Sequence, residues 1–97
     1  MRTMLRWTVP VEKGNEAIKD GSLPATMEWL MEELKPEAAY FFPEAGERAG
    51  QVVFDMADPS QIPQIAERLF EALDAAVEFV TVMNMDDLRK GLQKDSS

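Results

Sequence analysis

The side chains available for chemistry in this 97-residue chain are carboxylates, Lys and Arg cations, one Tyr, two Trp and amides, because it contains no His and no Cys. A Ser-His-Asp triad, a cysteine nucleophile, thiol redox chemistry, His-ligated haem and thiolate or His-based metal sites are thereby excluded. One constellation stands out within this reduced set. Arg6, Tyr40 and Asp55 fall in three separate apolar, strand-like segments. By strand alternation they point to the same side of a sheet. Two readings apply. Arg6 and Asp55 form a polar hook on the wall of a ligand cavity, with Tyr40 as a further donor. Alternatively, they are an ion pair buried for structural reasons, which costs desolvation and acts mainly on specificity.

Three other groups are weighed in the same way. Trp29 lies ~200° around its helix from Met27 at ~100° per residue, among Glu28, Glu32 and Glu33. This predicts cover from Leu88 and Leu92 of the C-terminal segment or from a second protomer, with a foreign partner as the rival. Lys19, Asp20 and Ser22 sit at a helix break, but the glycine spacing of a phosphate loop is absent, and a plain kink is the simpler account. Glu28, Glu32, Glu33 and Glu37 read as a solvated helix face, since no loop of oxygen ligands accompanies them. No metal site and no cofactor is expected.

These residues must be positioned by a small set of elements. Arg2 to Val9 reads as a strand, with Leu5, Trp7 and Val9 on one face and Met4, Arg6 and Thr8 on the other. A polar stretch containing Gly14 and Asn15 leads to a short helical piece, Glu16 to Asp20. Pro24 to Lys35 follows as a helix, with Ser22 as candidate cap and Met27, Leu30, Met31 and Leu34 on its buried face. Ala38 to Phe42 is a second strand ended by Pro43. Glu44 to Gly50 reads as a hairpin loop and Gln51 to Met56 as a third strand. A helix opening at Ser60 carries Ile62, Ile65, Ala66, Leu69, Phe70 and Leu73 as an apolar stripe. Val77 to Met83 is the last strand, a short helix follows around Leu88 to Leu92, and Lys94 to Ser97 reads as a frayed tail. One domain, residues 1–93, is expected.

The order β-α-β-β-α-β favours an α+β, ferredoxin-like sandwich: a four-stranded antiparallel sheet with two helices on one face. The other face, with Met4, Arg6, Thr8, Tyr40, Phe42, Gln51, Val53 and Asp55, is then bare. It is too apolar to be fully solvated. A homodimer through that face is expected, with Met4, Phe42 and Val53 in the interface and Trp29 as a further contact.

The stretches AIKDGSLP (Ala17 to Pro24), KPEAAYFF (Lys35 to Phe42), VFDMADPSQIP (Val53 to Pro63) and VMNMDDLRKGL (Val82 to Leu92) resemble, in order, a set of small bacterial proteins of the DUF3303 type. The layout looks like the dimeric α/β-barrel superfamily, in which two ferredoxin-like protomers press their sheets together. That resemblance implies a homodimeric module with a small organic ligand held between the sheets. The alternative it implies is a cofactor-free monooxygenase or isomerase acting through Arg6, Tyr40 and Asp55. The superfamily's haem degraders use a His ligand, which this chain lacks.

Acids outnumber bases 18 to 10, for a formal charge of −8. This disfavours nucleic acid and anionic membrane surfaces as partners. The segment Met1 to Arg6 lacks the apolar core of a signal peptide, and no apolar run approaches the ~20 residues of a membrane span. A cytoplasmic location is the expectation.

Overall fold

The computed structural model describes residues 1–93; the expected frayed tail, 94–97, lies outside them. The elements are β1 (Arg2–Val9), α1 (Val11–Lys19), α2 (Ser22–Leu34), β2 (Ala38–Glu44), β3 (Glu47–Asp55), α3 (Gln61–Leu73), β4 (Ala76–Thr81) and α4 (Met85–Leu92). The strands form one antiparallel sheet in the order β2-β3-β1-β4, an α+β fold of ferredoxin-like type.

Alternation along β1 sorts the two faces cleanly. Leu5, Trp7 and Val9 join Val52 and Phe54 of β3 against Leu30 and Leu34 of α2 and Ile65, Leu69 and Leu73 of α3. Each large side chain taken fully out of water here is worth about 1.5–3 kcal/mol. Thr3 shares that face; its hydroxyl donates to the carbonyl of Met1, 3.0 Å away, so its burial leaves no polar atom unsatisfied.

Both long helices and both short helical pieces are present, and the first short piece is longer than expected. Gly14 and Asn15 lie inside α1, which starts directly after Pro10, whose carbonyl accepts from Gly14 N–H at 2.8 Å. Pro10 suits this place because a helix start has no use for its missing N–H. The break between α1 and α2 is closed by Asp20, whose carboxylate accepts from Ser22 N–H at 2.8 Å, while Gly21 takes the left-handed conformation, φ 82°. Those hydrogen bonds hold the Asp20 carboxyl below the usual carboxylate range. The cap residue is therefore not Ser22, and an acid occupies the place an anion would need. At α3 the boundary falls at Ser60 as expected, but the Ser60 side chain makes no cap. Asp58 accepts from Ser60 N–H at 2.8 Å, and Gln61 Oε1 accepts from Ala57 N–H at 2.8 Å.

The expected loop from Glu44 to Gly50 is a two-residue turn. Ala45 and Gly46 both have positive φ (51° and 80°), the geometry that matches strand twist in tight hairpins. β2 runs through Pro43, which is tolerated because β2 is an edge strand. Gly50 belongs to β3, not to a loop. It faces Trp7 across the ladder, and a Cβ there would collide with the indole ring at Cζ2.

α2 is rotated relative to the expected stripe. Thr26 is buried beside Leu30 and Leu34, its hydroxyl satisfied by the Ser22 carbonyl at 2.7 Å, while Met27 and Met31 are half-buried. Trp29 lies only ~60° from Thr26 at ~100° per residue, so it flanks the core instead of opposing it. In α3, Phe70 is 42% exposed and lies off the buried stripe.

α4 leaves the end of the sheet with a full capping box: Asn84 Oδ1 accepts from Asp87 N–H and Asp87 Oδ2 from Asn84 N–H. None of its residues is buried, and it extends a molecule 59 Å long and 17 Å thin.

Candidate functional site

Two regions carry concave or chemically unusual surface. The first is the open face of the sheet. Register sets its rows. Tyr40, Gln51, Arg6 and Glu78 form one row across all four strands; Ala38, Val53, Met4 and Val80 form the next; Asp55 pairs with Arg2 beyond that. Arg6 and Tyr40 therefore share a row. Asp55 does not: it lies four residues along β3 from Gln51, roughly 13 Å at 3.3–3.4 Å per residue.

The expected Arg6–Asp55 pair is not formed. Arg6 Nη2 donates to Glu44 Oε1 at 2.8 Å, and Asp55 is hydrogen-bonded by the amino group of Met1. That contact holds the Asp55 carboxyl below the usual carboxylate range. Arg6 Nε is buried without a partner among the described residues, beside a shallow depression of about 190 Å³ that Thr8, Glu44, Ala76 and Glu78 also line. At the far end of the face Arg2 bridges Glu37, 2.7 Å from its Nε, and Asp87 of α4, 2.8 Å from its Nη1.

Of the interface candidates, Met4, Phe42 and Val53 are half-buried and all lie on this open face. Trp29 lies elsewhere. Its cover is the Arg68 guanidinium of α3, 4.5 Å above the ring centroid, and not the C-terminal segment, whose Leu88 and Leu92 stay exposed. The helix rotation that moves Trp29 beside α3 is the reason. Glu28, Glu32 and Glu33 are exposed on α2, as a solvated face requires.

The second region is a pocket of about 690 Å³ on the helix side, where β1 ends. Its walls are Trp7 and Val9 of β1, Leu23 and Met27 of α2, Phe41 of the edge strand and Leu73 of α3. The Trp7 and Phe41 rings meet edge to face at 6.1 Å, and Phe41 is 58% exposed. Both ends of the pocket depend on a glycine inside a regular element. Gly50 lets the Trp7 ring lie against β3. Gly14 lets Arg48 lie across α1, where a Cβ would come within 2.6 Å of Arg48 Nη1. Arg48 Nη2 then donates to Asn15 Oδ1 at 3.1 Å, at the rim beside Glu47.

Trp7 is placed on the core face by sequence alternation, but its part in this pocket was not legible there, and Asn15, Phe41 and Arg48 carried no signal of their own. The usable clue was Gly14 and Gly50, two glycines inside elements rather than at turns, which mark close approach of a large side chain.

The family model for the Domain of unknown function DUF3303 matches residues 1–96. The chain belongs to that family. No curated protein matches it. Within the DUF3303 chain the described residues include no helix long and apolar enough to cross a membrane.

Proposed function

We propose that this DUF3303 protein works as a homodimeric binding module. Two copies pack through their open sheet faces into an α/β barrel, and each protomer takes one small organic molecule in its helix-side pocket. The observation that carries the dimer is the row Ala38–Val53–Met4–Val80, apolar across all four strands on the face that bears no helix. An apolar row at the centre of a sheet is a poor surface to leave in water, and a second copy offers the same row in return. The projecting α4, with Met85, Leu88 and Leu92 exposed, supplies further apolar surface for the same association. The ligand reading is supported by the pocket, whose volume falls within the ~300–1,000 Å³ of small-molecule sites and whose walls are mostly apolar.

Val53→Arg tests the interface, because it sets a cation in the middle of the apolar row without touching the helix-side core. Sedimentation should give a dimer for the wild type and a folded monomer for Val53→Arg, while Ala25→Arg on exposed α2 leaves the dimer intact. A wild-type monomer, or a Val53→Arg dimer, contradicts the proposal.

One observation favours a second reading, a ligand between the two sheets. Arg6 Nε is a buried donor without an acceptor, next to Thr8 and the shallow depression. An acceptor brought by a ligand in the barrel would satisfy it. In that case Arg6→Met weakens ligand binding and Phe41→Asp does not.

A further inference from the structure

We infer that the helix-side pocket selects an amphipathic organic anion, its apolar body against Trp7, Met27 and Phe41 and its anionic group on Arg48. This rests on the pocket reading above and names the ligand class. The arginines of the described residues make the case by comparison. Arg2, Arg6 and Arg89 each have a carboxylate oxygen within 3.1 Å, and Arg68 lies over the Trp29 ring. Among the described residues Arg48 has neither: its hydrogen-bonding partner there is the neutral amide of Asn15. In a chain with 18 acids and 10 bases, Arg48 stands apart as the arginine with neither a carboxylate nor a ring among the described residues.

Its side chain runs across α1 over Gly14, and the Asn15 bond orients one nitrogen of the otherwise exposed guanidinium. A guanidinium has five N–H donors, so the Asn15 bond leaves donors for a planar or tetrahedral anion at the rim. Glu47 also borders the pocket, and no ion pair joins it to Arg48. The rest of the wall is apolar, and Phe41 presents an exposed aromatic face beside the indole. An apolar body with one carboxylate, sulfonate or phosphate group satisfies both halves. A neutral apolar molecule would take the body contacts and leave Arg48 facing the solvent.

The test compares two probes that differ in one group: 1-anilinonaphthalene-8-sulfonate and its uncharged counterpart N-phenyl-1-naphthylamine. Binding is read by energy transfer from Trp7 in a Trp29→Phe background. The sulfonate should bind about tenfold or more tightly than the amine, the effect of one charged hydrogen-bonding contact. Arg48→Met should remove that difference and leave the amine unchanged, and Arg48→Lys should restore part of it. Phe41→Asp should abolish binding of both. Equal binding of the two probes in the wild type, unmoved by Arg48→Met but lost in Phe41→Asp, overturns the anion selection and leaves the pocket standing. Binding of both probes that survives Phe41→Asp, or no binding of either, overturns the pocket reading and this inference with it. Arg48 and Phe41 are both solvent-accessible, so their variants should keep the wild-type circular dichroism, which is checked alongside.

Discussion

Trp7 and Gly50 behave as one unit. The indole lies where a β-carbon on residue 50 would have to be, which is why a glycine occupies the middle of a strand that otherwise favours side chains. Gly50→Ala should therefore destabilise the fold by about 1–3 kcal/mol, the usual cost of forcing atoms into a packed site. Urea unfolding with Trp7 emission as the probe measures it, and a change below a few tenths of a kcal/mol would show that the ring moves aside freely. Gly14 and Arg48 repeat the arrangement on α1 with a charged side chain in place of the indole. At this scale the sequence was legible where alternation or periodicity governs and silent where a small residue answers to a distant large one. Leu5, Trp7, Val9, Met4, Arg6 and Thr8 fall on their expected faces. Arg6 and Asp55 share a face as expected, yet pairing depends on register, and register places Asp55 opposite Arg2 and Gln51 opposite Arg6. A single strand's pattern cannot supply that offset.

Among the elements, the strands and the two long helices follow from apolar periodicity, and the sheet layout and α+β class from their order with right-handed crossovers. What periodicity missed has local causes. α1 is longer than expected because it starts directly after Pro10 and runs through Gly14, whose N–H bonds the Pro10 carbonyl. The β2–β3 connection is shorter because Ala45 accepts a left-handed conformation beside Gly46. α2 turns toward α3 because a threonine with a satisfied hydroxyl can be buried like an apolar residue. That rotation has a measurable consequence for Trp29. In a Trp7→Phe background, Arg68→Ala should red-shift Trp29 emission and cost about 0.5–1 kcal/mol, the worth of a cation over an exposed ring. Removal of α4 should leave the emission maximum where it is. A red shift on deleting α4 instead would return the C-terminal segment to the place that the Arg68 contact now holds.

For the whole molecule, the decisive feature is the one-sided sheet. Three helices cover one face, and the fourth projects from the end without burying a residue. On the open face the polar row Tyr40–Gln51–Arg6–Glu78 lies between two largely apolar rows, Ala38–Val53–Met4–Val80 and Phe42–Ala49–Thr8–Ala76, with the Asp55–Arg2 pair at one border. A second copy on this face would have to match both the apolar rows and the polar one between them. The formal charge of −8 on each copy opposes association at long range, and salt screens such repulsion over about 8–10 Å at physiological strength. The most direct measurement is the molar mass of the unmodified protein by light scattering at micromolar concentration, repeated across an ionic-strength series. Association through the sheet faces predicts twice the 10.9 kDa of the chain, retained or strengthened as salt rises. A mass of 10.9 kDa at every salt concentration would contradict it.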